Sequence, residues 1–286
     1  MNADKTFHLV VQGDEIETPD LKEFCRIARG EAIERISDSA FRIAHVDPVT
    51  KGEVAALAAH VKLDFGFVAA GRTLGDFALL AMDMDSTLIA IECIDEIADF
   101  AGRKAEVAAV TAAAMRGEID WPESLRQRVA QLSGLDEAVL GKVYSERLRF
   151  NPGARALIAA ARRHGVKTLL VSGGFTYFTD RVRAELGLDY AYSNVLVAEA
   201  GRLAGRVTGP LVDAGGKAAH VARVRAELGV GRERVLVLGD GANDLPMMAE
   251  GGTSIAYHAK PVVREKADYA LDYAGLDGVL NLFPER

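Results

Sequence analysis

From residue 77 onward, short apolar runs alternate with segments in which apolar residues recur at helical spacing. Apolar runs of about four to eight residues bounded by turn residues are typical of buried strands, and this alternation is typical of a parallel sheet with helices on both faces. The predicted strands are 79–82, 168–172, 235–239 and 254–256. We therefore expect an α/β fold built on a doubly wound parallel sheet.

The interval between the first two predicted strands is much longer than a crossover through one helix requires. Residues 94–148 are almost all helix-like, with apolar residues at helical spacing in 105–116, 122–133 and 136–147. We interpret this segment as a helical cap inserted over the strand ends. A shorter insertion, with apolar runs at 195–197 and 203–207 around a glycine-containing turn, predicts a hairpin.

The first 72 residues have a different pattern. Strands are predicted at 7–12, 41–46 and 63–69, and helices at 21–29 and 51–60. We interpret them as a small α+β domain of βαββαβ order that resembles regulatory ACT-like domains. Gly71 and Gly75 punctuate the pattern, so the predicted domains are 1–72 and 73–286.

Composition narrows the classes of partner. The chain has 286 residues and a net charge of −7, without the clustered Lys and Arg that binding to a nucleic-acid backbone needs. No apolar stretch is long enough for a membrane span, and the N-terminus lacks the apolar core of a signal peptide. The two cysteines lack metal-site spacing, so we expect them to be reduced. These features predict a cytoplasmic protein with a small-molecule substrate.

Carboxylates follow two of the predicted strands. Asp83 and Asp85 come directly after the first strand, and Asp240 follows the third. Open α/β sheets bind ligands beyond the carboxyl ends of their strands, and residues two apart in an extended segment face the same way. Because Mg²⁺ prefers carboxylate oxygens, we expect Asp83 and Asp240 to bind it directly. A calcium loop does not fit, because Leu88 and Ile94 occupy the positions that it requires as Gly and Glu.

Three further residues near strand or helix ends suit a phosphate group. Lys217 offers a positive charge, Ser172 a hydroxyl, and Gly173 an amide that a ligand can approach closely. Phosphoryl transfer needs little beyond positioning and charge stabilisation, so a carboxylate nucleophile with an adjacent acid suffices. The alternative nucleophile, the Cys93 thiol, has no nearby His in the sequence to activate it.

Together these segments resemble the four motifs of the haloacid dehalogenase superfamily. They are Asp-Met-Asp-Ser-Thr at 83–87, Ser-Gly-Gly-Phe at 172–175, Lys217, and Gly-Asp-Gly-Ala-Asn-Asp at 239–244. Within the superfamily, the chain is most similar to the members that hydrolyse O-phospho-L-serine. That closer likeness rests on Glu92, on 124–129 and on 209–213, and the resemblance covers about residues 77–286.

The resemblance implies a mechanism. Asp83 would be the nucleophile that forms an aspartyl-phosphate, and Asp85 would protonate the leaving serine hydroxyl and later accept a proton from water. Magnesium would be held by the Asp83 carboxylate, the Asp85 main-chain carbonyl and Asp240. Asp244 would orient metal-bound water. The implied activity is the last step of L-serine biosynthesis.

The resemblance also implies a substrate site. Glu92 would receive the serine ammonium, and Arg128 would bind its carboxylate, for which a planar guanidinium is suited. The phosphate would be held by Ser172, Gly173 and Lys217, with Asn243 hydrogen-bonding nearby, and Met115 and Trp121 would line the underside of the cap.

Alternatives remain open at this point. Glu92 lies near Asp95 and Asp99 and suits a solvated acidic face. Arg128 could pair with Glu123 or Glu137 on the surface. Mn²⁺ also accepts oxygen ligands. The substrate could be another small phosphoester, or the chain could be an amino-acid sensor that acts through its N-terminal domain. The N-terminal pattern also makes a homodimer plausible.

Overall fold

The computed structural model describes residues 7–285, apart from the side chain of Met115. The strands are β1 (Phe7–Gln12), β2 (Ala32–Ser37), β3 (Ala40–Val46), β4 (Asp64–Ala69), β5 (Leu79–Met82), β6 (Lys167–Phe175), β7 (Tyr190–Glu199), β8 (Arg202–Thr208), β9 (Val235–Gly239), β10 (Thr253–Tyr257) and β11 (Tyr269–Leu271). The helices are α1 (Thr18–Ile27), α2 (Lys51–Val61), α3 (Cys93–Phe100), α4 (Lys104–Met115), α5 (Trp121–Ala130), α6 (Ala138–Lys142), α7 (Ala154–Arg163), α8 (Thr176–Leu186), α9 (Ala214–Glu227), α10 (Leu245–Met248), α11 (Pro261–Arg264) and α12 (Gly278–Leu282). Within the described range, no helix is long and apolar enough to cross a membrane.

The larger sheet has seven strands in the order β11-β10-β9-β5-β6-β7-β8. All neighbouring pairs are parallel except β7 and β8, which form the predicted hairpin. Strand β5 lies at the centre and every residue in it is buried, as expected for an apolar run with neighbours on both sides. The predicted α/β fold with a parallel sheet is confirmed.

The segment between β5 and β6 contains α3 to α6 and a π-helical turn, Val143–Arg147. The third predicted helix, 136–147, is therefore divided between α6 and this turn. Main-chain hydrogen bonds join the segment to the hairpin, from Gly134 N to Leu203 O at 2.8 Å and from Glu137 N to Gly201 O at 2.9 Å. The role of the inserted helices as a cap stays a prediction.

The N-terminal strands form an antiparallel sheet of order β2-β3-β1-β4, and the elements follow the chain as βαββαβ. Leu9, Phe24 and Val54 belong to a core between this sheet and its two helices. On the other face of the sheet, Val10 and Val68 belong to the main core. The likeness to ACT-like domains and the division at residue 72 stay predictions.

Strand β4 lies beside β11 at the edge of the larger sheet. The buried carboxylate of Asp64 accepts hydrogen bonds from the backbone amides of Asp272, Tyr273 and Ala274 at 2.8 to 3.0 Å. The Tyr269 hydroxyl donates to the main-chain oxygen of Phe67 at 3.1 Å. The N-terminal sheet is thus joined to the larger sheet by buried polar contacts as well as by apolar packing.

Candidate active site

A cavity of about 520 Å³ lies at the carboxyl ends of β5, β6 and β9, next to helices α4 and α5. Its charged lining comprises Asp83, Asp85, Glu92, Asp95, Asp240, Arg128, Lys217 and Lys260. Ser172, Gly173, Asn243 and Trp121 also line it. The structure therefore brings together the catalytic, metal-binding and substrate-binding residues that the sequence analysis named from separate motifs, with Asp244 behind Lys217. The side chain of Met115 lies outside the described part of the structure.

Asp83 follows the last residue of β5, and its backbone amide donates to Leu238 O on β9 at 3.1 Å. Its Oδ1 accepts from the Met84 amide at 2.7 Å and lies 2.8 Å from Lys217 Nζ. Burial, with a further contribution from the neighbouring Asp244, raises the pKa of Asp83. The end of the central strand therefore fixes a buried carboxylate at the floor of the cavity.

Lys217 lies in the first turns of α9 and is 1% exposed. Its ammonium group contacts Asp83 Oδ1 and, at 2.7 Å, Asp244 Oδ1. Burial opposes the charge, but the two carboxylates more than offset it and raise the pKa of Lys217. The start of a helix is unfavourable for a cation, and here two buried carboxylates stabilise the charge of Lys217.

The carboxylate oxygens of Asp83, Asp240 and Asp244 offer ligand atoms that lie within 4.8 Å of one another. Burial and then Asp244 raise the pKa of Asp240 to about 6. Asp83 and Asp244 are buried and share the Lys217 ammonium, and the partly buried Asp240 lies beside them, so a divalent cation with oxygen preference would offset the excess negative charge. The cluster fits a metal ion, and the side chain of Asp85 lies outside it.

Asp244 is already bonded on both oxygens. Oδ1 accepts from Lys217, and Oδ2 accepts from the amides of Asp240 and Gly241 at 3.1 and 3.0 Å. The carboxylate therefore holds the turn after β9 in place. Its predicted role in orienting metal-bound water stays a prediction.

Asp85 points toward the cavity from the turn after β5. Its Oδ2 accepts from the Cys93 amide at 3.1 Å, and its Oδ1 is buried without a hydrogen-bond partner among the described residues. Burial, followed by the charge of Glu92, raises the pKa of Asp85 to about 7. A carboxyl group that keeps a proton near neutral pH is suited to donate one.

Burial and Asp85 raise the pKa of the Cys93 thiol, which disfavours the thiolate nucleophile.

Glu92 and Arg128 line the same cavity from α3 and α5. Glu92 Oε1 accepts from the Ser86 hydroxyl at 2.8 Å, and burial raises the pKa of Glu92. Burial lowers the pKa of Arg128, while the nearby Asp95 and Glu92 oppose that shift. Glu123 lies 3.5 Å from Arg126, so its partner on the surface is Arg126 and not Arg128. Glu92 and Arg128 therefore offer opposite charges to a ligand in the same cavity.

The carboxyl end of β6 presents Ser172, Gly173 and Gly174, where the register between β6 and β7 shifts. The Gly174 amide donates to Ser172 Oγ at 2.9 Å, and Ser172 is 1% exposed. A Cβ at Gly173 would lie 2.9 Å from Trp121 Cζ2, closer than Cβ contacts normally come. Glycine is therefore required where the Trp121 ring lies over this end of β6.

Three polar residues of the site were not identified from the sequence. Thr87 Oγ1 donates to Asp240 Oδ1 at 2.9 Å, Ser86 binds Glu92, and Lys260 lines the cavity while its amide donates to Asp240 O at 3.2 Å. Ser86 and Thr87 complete a motif whose aspartates were identified. Lys260 follows β10, the strand beside β9, and a search beyond every strand end would have included it.

Sequence comparisons identify the family. A family model described as haloacid dehalogenase-like hydrolase matches residues 80–249. A phosphoserine phosphatase from Polaromonas is 57% identical over 214 residues, covering 73% of this chain and 91% of the relative. The chain belongs to the phosphoserine phosphatases of the haloacid dehalogenase superfamily. These are phosphoric monoester hydrolases, so family membership favours an enzyme over a sensor.

Solved structures of phosphoserine phosphatases extend the match. A probable phosphoserine phosphatase from Vibrio cholerae, in unliganded form, is 35% identical with a TM-score of 0.84 and covers 99% of this chain and 87% of that one. A structure described as a phospho-aspartyl intermediate analogue of phosphoserine phosphatase is 35% identical, with a TM-score of 0.68, covering 72% of this chain and 99% of the other.

In the N-terminal part of the chain, residues 9–54 match a family model described as a domain of unknown function.

Proposed function

We propose that this chain is a magnesium-dependent phosphatase that hydrolyses O-phospho-L-serine to L-serine and phosphate. The observation that carries the proposal is the placement of Glu92 and Arg128 in the same cavity as Asp83 and Lys217. An amino acid esterified to phosphate carries an ammonium, a carboxylate and a phosphate, and the cavity offers a complementary group for each. A sugar phosphate would need neither Glu92 nor Arg128.

Phosphate binding would rest on Ser172, Gly173 and Lys217, with Asn243 alongside. A dianionic phosphate enters a cavity with many carboxylates, so it requires neutralisation. Magnesium held by the Asp83 carboxylate, the Asp85 main-chain carbonyl and Asp240 would supply that charge when bound. Mn²⁺ is the alternative metal, because it accepts the same oxygen ligands.

The first chemical step would form an aspartyl-phosphate. A carboxylate oxygen of Asp83 forms a bond to phosphorus, and the bond from phosphorus to the serine oxygen breaks. Asp85 gives its proton to that oxygen, so serine leaves as a neutral hydroxyl. The raised pKa of Asp85, about 7, supports this role because the group holds a proton near neutral pH.

The second step would release phosphate. Asp85, now a carboxylate, accepts a proton as water attacks phosphorus, and the bond between phosphorus and the Asp83 oxygen breaks. Asp83 returns to its starting state, and Asp85 is again protonated. A solved relative described as a phospho-aspartyl intermediate analogue supports this route for the family.

The same proposal places the chain in metabolism. Release of L-serine makes the last step of L-serine biosynthesis the natural setting, and reduced cysteines suit the cytoplasm. Cys25 and Cys93 are both free in the structure. A homodimer remains a prediction from the N-terminal βαββαβ pattern.

Phosphate release from a substrate panel tests the proposal. The panel holds O-phospho-L-serine, phosphothreonine and sugar phosphates, each with Mg²⁺ or EDTA, for wild type and Asp83→Asn. We expect strong preference for O-phospho-L-serine and loss of turnover with EDTA or with the substitution. Preference for another ester would overturn the roles proposed for Glu92 and Arg128. Hydrolysis of none of the esters would overturn the proposal that the chain is a phosphatase.

A further inference from the structure

Asn194, in β7, bridges the carboxyl end of β6 and the segment that precedes α9, both next to the candidate active site. Its Nδ2 donates to the main-chain oxygen of Gly173 at 2.8 Å, and its Oδ1 accepts from the amide of Val212 at 2.8 Å. The residue is 1% exposed. A buried side chain amide that makes one donor and one acceptor bond to main chain is held in a single orientation.

Each partner of Asn194 belongs to a segment that would hold the phosphate. Gly173 follows Ser172 near the carboxyl end of β6. Val212 directly precedes Asp213, whose carboxylate accepts from the Gly216 amide at 2.8 Å at the start of α9, the helix that carries Lys217. The Asn194 side chain therefore fixes the distance between the Ser172 end of β6 and the Lys217 helix.

The peptide group between Gly173 and Gly174 is held at both ends. Its carbonyl accepts from Asn194, and its N–H donates to Ser172 Oγ at 2.9 Å. Because Ser172 Oγ accepts this bond, its own proton is available to a ligand oxygen. Two consecutive glycines can rotate such a peptide at low cost, and rotation would remove the acceptor role from Ser172.

We propose that Asn194 is a positioning residue for phosphate binding: it prevents rotation of the Gly173–Gly174 peptide and holds the Lys217 helix at a fixed distance from Ser172. The inference rests on the proposed function of this site. Asn194 itself does not touch the substrate. Its effect is transmitted through two main-chain hydrogen bonds.

The test compares Asn194→Asp with Thr168→Val in the full chain with Mg²⁺. Asp at 194 keeps an acceptor for Val212 but places a carboxylate oxygen against Gly173 O. Thr168 is a matched control, because it is buried in β6 and its hydroxyl bonds to Asp189 at 3.0 Å, so Val there also loses a buried hydrogen bond. Calorimetric titration with inorganic phosphate measures the affinity, and urea unfolding measures the stability.

We expect Asn194→Asp to weaken phosphate binding about tenfold or more, the loss that corresponds to one misplaced hydrogen bond to a charged group. Thr168→Val should lose stability while keeping phosphate affinity. Asn194→Ser, which is too short to reach both partners, gives the same comparison if the Asp variant does not fold. Wild-type phosphate affinity in a folded Asn194→Asp or Asn194→Ser variant overturns the inference.

This titration separates the inference from the proposed function. If wild type binds phosphate but does not hydrolyse O-phospho-L-serine, the substrate assignment fails, and the affinities of the Asn194 variants still decide the positioning role. If hydrolysis is confirmed, the KM of the variants should rise in parallel with the loss of phosphate affinity.

Discussion

The hydroxyl of Thr87 donates a 2.9 Å hydrogen bond to Asp240 Oδ1, joining the turn after β5 to the turn after β9. Thr87 is fully buried, so water does not replace this donor. The bond opposes the effect of burial on the pKa of Asp240 and fixes the orientation of its carboxylate. Residues that hydrogen-bond to a metal-ligating carboxylate orient it and thereby affect the affinity for the metal.

We expect Thr87→Val to weaken Mg²⁺ binding by about tenfold or more, because Asp240 loses its donor and its pKa rises further. Thr87→Ser, which keeps the hydroxyl, serves as the matched control. Calorimetric Mg²⁺ titration at constant pH measures both variants. Equal Mg²⁺ affinity in Thr87→Val and wild type would show that the contact does not orient Asp240 for a metal.

Arg128→Ala tests the carboxylate subsite. A lost charge-assisted hydrogen bond costs about 1.5 to 3 kcal/mol, so kcat/KM for O-phospho-L-serine should fall by about ten- to a hundredfold. Hydrolysis of phosphoethanolamine, which has no carboxylate, should change little. Arg126→Ala is the control, since its guanidinium pairs with Glu123 on the exposed side of α5. An equal loss on both substrates would assign Arg128 a structural role.

The Asp85 carboxyl links stability to pH. Burial raises its pKa from 3.8 to about 7, so between these values the folded state holds a proton that the unfolded state releases. Stability therefore falls as pH rises through this window. With EDTA present, Asp85→Asn should flatten the decline by at most about 1.4 kcal/mol per pH unit. Urea unfolding from pH 4 to 8 measures the stability of wild type and Asp85→Asn. Parallel profiles of stability against pH for these two proteins would refute a raised pKa of Asp85.

Asp64→Ala should destabilise the contact between the two sheets. The variant leaves three backbone amides, at residues 272 to 274, without their buried acceptor, and we expect a loss of about 3 kcal/mol or more in unfolding free energy. The active-site residues keep their own contacts, so kcat should change little. Asp38→Ala, at a fully exposed carboxylate, is the control and should leave the unfolding midpoint unchanged.

The sequence predicted the strands that lead to the site because their burial is complete. Strands β5 and β9 have the predicted bounds, since an uninterrupted apolar run ends at aspartate or glycine in each. Asp83 and Asp240 follow from those endings and from the rule for parallel sheets. The predicted strand 168–172 ends at Ser172, whereas β6 continues to Phe175, so Ser172 and Gly173 lie near its carboxyl end and not beyond it.

The missed elements carry weaker local signals. Strand β2 is an exposed edge in which polar and apolar residues both face solvent, and β11 has three residues. The π-helical turn keeps helical apolar spacing, so its departure from an α-helix is invisible in the pattern. The bonds from Thr87 to Asp240 and from Asn194 to Gly173 depend on segments brought together by folding, which no local pattern encodes.

Trp121 is the sole tryptophan of the chain, and its ring lies over Gly173, where an inserted helix meets the carboxyl end of β6. The emission of an indole responds to the polarity of its surroundings. Separation of the helix from that end of β6 would expose the ring to water and shift its fluorescence. The protein therefore contains an intrinsic optical reporter where the helix that carries Arg128 meets the residues proposed to bind phosphate, readable without a label.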